Sequence, residues 1–220
     1  MRLVFISDTR GHEPPVPAGD VLIHCGDFSL SNPDQDLQRF MGWLQALPHP
    51  HKAFIAGNHD FALEDPDRRS NLHLPDGVHH LMNSAVSIGG MRFWGSPMTP
   101  RFGEWAFMQP DQELARTWQS IPENTHILLT HGPPAGTLDL CASGAKAGSI
   151  TLAARLRSVH PLIHAFGHIH ESWGHITHSD GSSTINASTC NLRYRPENPP
   201  FVVDIHHTEG AWKVTSITNP

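Results

Sequence analysis

The sequence is short of cysteine, of positive charge and of long apolar runs, and each shortage excludes a class of protein. Three widely spaced cysteines with no C-x-x-C pair argue against a disulfide framework and favour a reducing compartment, so we expect a cytoplasmic protein. No apolar run approaches the ~18 residues of a membrane span, and the run at residues 3–6 is too short for a secretory signal. Lysine and arginine number 15 against 21 acidic residues, which leaves no basic footprint for sequence-specific nucleic-acid binding.

Histidine, glycine and proline are abundant instead. The 220 residues include 18 histidines, 18 glycines and 19 prolines, while only 16% are charged against roughly 25% in an average domain. The hydrophobic share of 38% is enough for a sizeable core, and no low-complexity linker divides the chain. We therefore predict a single domain over residues 1–220, rich in loops that carry ligands.

Short apolar runs alternate with amphipathic segments in the first half of the chain. Runs at residues 3–6, 21–25 and 53–56 are typical of strands covered on both faces, and residues 33–47 carry the apolar spacing of a helix. An α/β half followed by a strand-rich half predicts two sheets packed together with helices outside. The other predicted elements are a hairpin around residues 89–90, helices at 111–120 and 149–159, and strands at 126–130, 162–166, 184–186, 201–205 and 212–217.

Five of these strands are each followed by a carboxylate, a carboxamide or a histidine. Such side chains converge beyond the carboxyl ends of the strands in an α/β sheet. Oxygen and nitrogen donors without a thiolate suit Mn²⁺, Fe or Zn²⁺, and we expect Mn²⁺. The number of donors favours two ions ~3.5–4 Å apart, with Asp27 as the bridging carboxylate. The predicted metal ligands are Asp8, Asp27, Asn58, His131, His168 and His170.

These ordered motifs resemble the calcineurin-like metallophosphoesterase superfamily, whose pattern is D-x-H, G-D, G-N-H-[DE], H and G-H-x-H. Segments 95–100, 130–134 and 185–190 are similar to its metallophosphoesterase-domain branch. The resemblance implies a four-layer αββα sandwich of two mixed β-sheets flanked by helices, and a metal-dependent phosphodiesterase. It assigns Asp8, Asp27 and His170 to a first ion, and Asp27, Asn58, His131 and His168 to a second.

One position departs from that pattern, because Arg10 stands where the family has a histidine. A guanidinium has no lone pair to give to a metal. Three outcomes stay open: His12 replaces the missing ligand, Arg10 grips the substrate phosphate, or the first site is weak and one metal dominates. We favour a weakened first site with Arg10 near the phosphate.

The expected reaction is hydrolysis of a small phosphodiester, with cyclic nucleotides among the candidates. Two cations would make a bridging hydroxide that attacks phosphorus in line, and Arg10 would help to neutralise the phosphoryl oxygens. The family match gives His59 the role of stabilising the transition state or protonating the leaving group, with Asp60 as its orienting partner.

Several side chains are expected to line the substrate pocket. Phe102 and Trp105 could stack on a nucleobase, and Asn186 is either a turn residue or a polar wall of the pocket. The predicted substrate-binding residues are Arg10, Asn58, His59, Phe102, Trp105 and Asn186.

Two other functions stay open. A phosphomonoesterase or protein phosphatase would use the same metals with a wider pocket. A low-activity nucleotide-binding or scaffold protein would follow if Arg10 has weakened the first metal site. The net charge of −6 argues against a nuclease that acts on long polymers. We expect a small phosphodiester or nucleotide as partner and no membrane, and we leave a homo-oligomer open.

Overall fold

In the computed structural model, which describes residues 1–208 and 210–220, the chain forms two six-stranded sheets with helices packed against them. Within these ranges, none of the helices combines the length and the apolar character that a membrane span requires. The helices are Pro33–Ala46 (α1), Pro66–Ser70 (α2), Asp111–Gln119 (α3) and Ile150–Val159 (α4). The strands are Arg2–Ile6 (β1), Val21–His24 (β2), His51–Phe54 (β3), Val78–His80 (β4), Ser84–Ile88 (β5), Met91–Ser96 (β6), Thr99–Pro100 (β7), Met108–Gln109 (β8), Ile127–Thr130 (β9), Ile163–Phe166 (β10), Gly174–Thr177 (β11), Ser183–Asn186 (β12), Phe201–Thr208 (β13) and Ala211–Thr218 (β14).

Both large sheets are mixed, and both have parallel strands at their centre. The first sheet has the order β14-β13-β1-β2-β3-β4, in which β1 to β4 are parallel and β13 is antiparallel to β1. The second has the order β11-β12-β10-β9-β6-β5, with antiparallel strands only at its two edges. The predicted mixed sheets flanked by helices are therefore confirmed.

Alternating side chains on the central strands fill two apolar layers. On β1, Leu3 and Phe5 join Ile163 of the second sheet in the layer between the sheets. Val4 of the same strand belongs to the other layer, together with Phe40 of α1. Because both faces of β1 are covered, its sequence is a continuous apolar run rather than an alternating one.

Most predicted elements are confirmed, but some bounds were wrong. Strand β3 ends at Phe54, so it lies two residues earlier than the predicted 53–56, because the buried Ile55 and Ala56 already belong to the loop that leads to Asn58. The prediction also carried β2 one residue too far, to Cys25. The short elements α2, β4, β7, β8 and β11 were missed, since so few residues carry little apolar periodicity.

Candidate metal centre

The six predicted ligands lie in loops that leave the carboxyl ends of parallel strands. Asp8 follows β1, Asp27 follows β2 and Asn58 follows β3 in the first sheet. The three histidines follow β9 and β10 in the second sheet, so both sheets contribute to one cluster. All six side chains are buried except that of His168, which is half-buried. The structure thus brings the predicted ligands together.

Unusual backbone geometry makes this convergence possible. Asp8, Asp27 and His168 have φ angles of 52°, 58° and 69°, in the left-handed region that L residues rarely adopt. Gly57 and Gly167 have no space for a Cβ atom, which would overlap carboxylate oxygens of Asp27 and Asp8 respectively. These two glycines therefore let the loops pass directly beside the carboxylates.

Four side chains form the better-defined cation position. The ligand atoms of Asp27, His131 and His168 lie within 4.8 Å of one another. The Oδ1 atom of Asn58 lies 2.9 Å from His131 Nε2, and Asp27 Oδ2 lies 3.3 Å from the same nitrogen. One carboxylate, one amide oxygen and two imidazoles are suitable ligands for a divalent transition metal.

The contacts of His131 show that this position fits a cation. Its Nδ1 lies 2.9 Å from the carbonyl oxygen of Cys25. A carbonyl oxygen only accepts, so Nδ1 carries the proton and donates it. The lone pair of Nε2 therefore faces Asp27 and Asn58. Three electron-pair donors then face one another: His131 Nε2, Asn58 Oδ1 and Asp27 Oδ2. Only a proton or a cation between them can stabilise this arrangement. Burial alone would lower the pKa of His131, but Asp27 and Asp8 raise it to about 9. The chain would therefore hold a divalent ion here with Asp27, Asn58, His131 and His168.

A second group of ligands surrounds Asp8. Its Oδ1 lies 3.2 Å from His170 Nε2, and its Oδ2 accepts hydrogen bonds from the His168 backbone N–H and the Ser188 hydroxyl, each at 3.0 Å. Burial would raise the pKa of Asp8, but His170, His131 and Arg10 outweigh burial and hold that pKa well below its usual range. Asp8 is therefore a carboxylate at neutral pH.

Arg10 lies directly against these ligands. Its Nη2 is 2.5 Å from Asp27 Oδ2, 3.7 Å from Asp8 Oδ1 and 3.5 Å from His170 Nε2. The Arg10 side chain is only 5% exposed, and its guanidinium carbon lies 5.3 Å from the ring centre of Tyr194. A fixed positive charge thus stands among the side chains that the family resemblance assigns to the first ion.

An aromatic wall borders the cluster on the solvent side. Trp105 stacks on His59 with ring centres 4.4 Å apart and an interplanar angle of 28°, and Phe102 lies 5.4 Å from the ring of His168. Trp105 and Phe102 remain 40% and 55% exposed. The backbone N–H of His59 donates to Asp27 Oδ1 at 2.8 Å, and burial lowers the pKa of its ring to about 4. Both predicted aromatic residues therefore lie beside the site and remain partly exposed.

Asp60 has a structural task that the sequence did not predict. Its carboxylate accepts hydrogen bonds from the backbone N–H groups of Asp27, Ser29 and Gly57, at 2.7–2.9 Å. Burial and the nearby Asp27 raise the pKa of Asp60 to about 7. Asp60 thus fixes the loops that carry the ligands, and its orienting of the His59 ring stays a prediction.

Two further predicted residues lie outside the ligand cluster. His12 is exposed, and its Nε2 lies 3.0 Å from the Tyr194 carbonyl oxygen, so the structure does not bring it in as a replacement ligand. Asn186 is fully buried; its amide donates to the Ile169 carbonyl, and its Oδ1 accepts from the Ser188 hydroxyl at 2.8 Å. Asn186 therefore positions the groups that surround Asp8.

Some residues that position the ligands of the candidate metal centre were not predicted from the sequence. The Ser188 hydroxyl donates a hydrogen bond to Asp8. Ser188 lies in the segment 185–190, which carries part of the family resemblance, and that resemblance could have indicated it. Cys25 and Asn191 act through their backbone carbonyls, which orient His131 and His170. Every residue has a backbone carbonyl group, so the residue type does not indicate which carbonyl accepts a hydrogen bond. The sequence alone therefore could not identify these two contacts.

Comparisons with known proteins show which family, relatives and solved structure this chain resembles. A family model described as calcineurin-like phosphoesterase matches residues 1–172. Metallophosphoesterase domain-containing protein 1 of Homo sapiens is 37% identical, over 93% of this chain and 71% of that protein. UPF0046 protein K07C11.7 of Caenorhabditis elegans is 34% identical, over 92% of this chain and 74% of its own length. A solved structure superposes with a TM-score of 0.68 at 14% identity, over 99% of both chains, which shows a shared fold.

Proposed function

Because the chain belongs to the calcineurin-like phosphoesterase family, we propose that it is a metal-dependent phosphodiesterase that acts on small phosphodiesters. Members of this family are metal-dependent phosphoester hydrolases. The observation that carries the proposal is the convergence of Asp27, Asn58, His131 and His168 on one cation position. When bound there, a divalent ion supplies Lewis acidity, which activates water and offsets negative charge on the phosphoryl oxygens.

The side chains around this position have separate tasks. His59 is fixed by its backbone bond to Asp27 and by the ring of Trp105. Since its pKa is low, the imidazole is neutral at pH 7, and its N–H can hydrogen-bond the leaving oxygen. Arg10 presents a buried guanidinium beside the cluster, where it can bind phosphoryl oxygen atoms.

The surroundings favour a small substrate with a planar leaving group. The partly exposed rings of Trp105 and Phe102 lie beside His59 and His168, where a nucleobase or an aryl group could stack. The net charge of −6 disfavours long polyanions. We therefore include cyclic nucleotides among the proposed substrates.

The metal and the cellular location are part of the same proposal. Oxygen and imidazole donors without a thiolate suit Mn²⁺, while Fe and Zn²⁺ accept the same ligands. Cys25, Cys141 and Cys190 are all free thiols, which suits a reducing cytoplasm.

The position of Arg10 favours one second candidate, a nucleotide-binding protein with little turnover. A guanidinium among Asp8, Asp27 and His170 occupies groups that would otherwise bind metal. If this candidate were right, the chain would bind mononucleotides tightly and hydrolyse them negligibly.

Removal of metal is expected to abolish hydrolysis of a chromogenic aryl phosphodiester. Since metal chemistry supplies several kcal/mol of transition-state stabilisation, exhaustive chelation should lower the rate by ~1,000-fold or more, and added Mn²⁺ should restore it. The measurement is the initial rate before chelation, after it, and after Mn²⁺ is returned.

The same assay on the matching aryl phosphomonoester separates diesterase from monoesterase activity. We expect a higher kcat/KM on the diester. A rate that survives chelation would contradict the metal-dependent mechanism, and a preference for the monoester would contradict the diesterase assignment alone.

A further inference from the structure

A single nitrogen of Arg10 contacts all three side chains that the family resemblance assigns to a first ion. Nη2 lies 2.5 Å from Asp27, 3.7 Å from Asp8 and 3.5 Å from His170. Asp8 and Asp27 are fully buried carboxylates, so they require a positive charge close by. The guanidinium supplies that charge where a metal ion would otherwise stand.

We propose that the guanidinium of Arg10 replaces the first ion, so that this centre binds one divalent ion instead of two. The proposal rests on the proposed function, because it concerns the same centre. It also revises the two-ion expectation, which was based on the number of donors. Of the three outcomes left open at residue 10, it extends the weakened first site to a first site without metal.

The local fold holds Arg10 in this position. Its backbone N–H donates to the Asp27 carbonyl at 3.1 Å, and the next residue, Gly11, donates to the Phe28 carbonyl at 2.7 Å. Arg10 has a φ of 48°, and its guanidinium lies over the ring of Tyr194. With only 4% of the residue exposed, the side chain has little room to swing aside for an incoming ion.

Charge and space both exclude a second ion. A guanidinium stays protonated at every physiological pH, so its charge cannot be removed when a cation approaches. Nη2 already stands 2.5 Å from Asp27 Oδ2, close to the ~2.0–2.2 Å at which a carboxylate would hold a metal. The remaining position, among Asp27, Asn58, His131 and His168, does not include Arg10.

The exchange of an ion for a guanidinium also provides hydrogen-bond donors. The Nε and Nη1 atoms of Arg10 are buried, and they have no hydrogen-bond partner among the residues that the structure describes. Buried donors without acceptors are costly, and phosphoryl oxygens are acceptors of matching geometry. Arg10 thus places beside the cation position the charge that the first ion would have given, while Nε and Nη1 stay buried.

The test is the number of Mn²⁺ ions bound per chain, measured by equilibrium dialysis with metal analysis and by electron paramagnetic resonance. Wild-type protein should bind one ion with the spectrum of isolated Mn²⁺. Arg10→His removes the guanidinium and supplies a ligand, so this variant should bind two ions and show the spectrum of an exchange-coupled pair. Arg116→His, an exposed position on α3, is the matched control and should still bind one ion.

The outcomes separate the two proposals. A wild-type chain that binds two coupled ions would overturn the replacement by Arg10 and leave the metal-dependent function standing. A wild-type chain that binds no Mn²⁺ would overturn the metal centre itself. Because the wild-type count needs no substitution, a variant that fails to fold cannot remove the test.

Discussion

Replacing Asp27 with asparagine (Asp27→Asn) is expected to lower the rate of phosphoester hydrolysis by about a thousandfold or more. Asp27 is the one side chain that belongs both to the cation position and to the Arg10 contact. Asparagine keeps the shape but removes the charge that holds the cation. A loss of ~4 kcal/mol of transition-state stabilisation corresponds to about this factor.

The measurement is kcat/KM on an aryl phosphodiester at saturating Mn²⁺, together with a thermal melt that shows the variant to be folded. Asp36→Asn is the matched control, because Asp36 is also buried but its carboxylate accepts hydrogen bonds from the backbone N–H groups that precede α1. Asp36→Asn should keep most of its rate. A folded Asp27→Asn variant that retained a tenth of wild-type activity would contradict the role given to Asp27.

Replacing Arg10 with methionine (Arg10→Met) is expected to destabilise the metal-free protein by about 3–5 kcal/mol. The substitution leaves Asp8 and Asp27 buried without the guanidinium that lies between them. Methionine has a similar length and fills much of the same space, so the loss reports mainly the missing charge. The measurement is the free energy of unfolding in urea, in the presence of a chelator at neutral pH.

Arg2→Met is the control for this experiment. Arg2 also pairs with a carboxylate, Asp204, at 2.9 Å, but the Arg2 side chain is 51% exposed. Solvent screens exposed ion pairs and leaves them little net energy, so Arg2→Met should cost much less. If both variants lost the same small amount, Arg10 would not be compensating the two buried carboxylates.

Much of the fold could be predicted because its central strands are covered on both faces. A continuous run such as residues 3–6 has few alternatives to a buried strand, and the apolar spacing of residues 33–47 predicts α1, which begins at Pro33. Strand β11 escaped prediction because it is an edge strand of four largely exposed residues, which have no apolar pattern.

The ligands were predictable for a topological reason. Side chains at the carboxyl ends of parallel strands converge whatever the details of the loops, so Asp8, Asp27 and His131 could be placed from chain order alone. The position of the Arg10 side chain could not be predicted in this way. It depends on contacts with His170, which lies 160 residues away in the sequence, and with the ring of Tyr194. The sequence therefore left three outcomes open at residue 10, and the contacts favour a guanidinium among the ligands.

Anomalous diffraction from crystals soaked in Mn²⁺ tests the central claim most directly, because it locates ions without assuming a reaction. The account predicts one strong peak bounded by Asp27, Asn58, His131 and His168, with the guanidinium of Arg10 still beside Asp8. A crystal with no peak among those four side chains, or with a second peak among Asp8, Asp27 and His170, would contradict it.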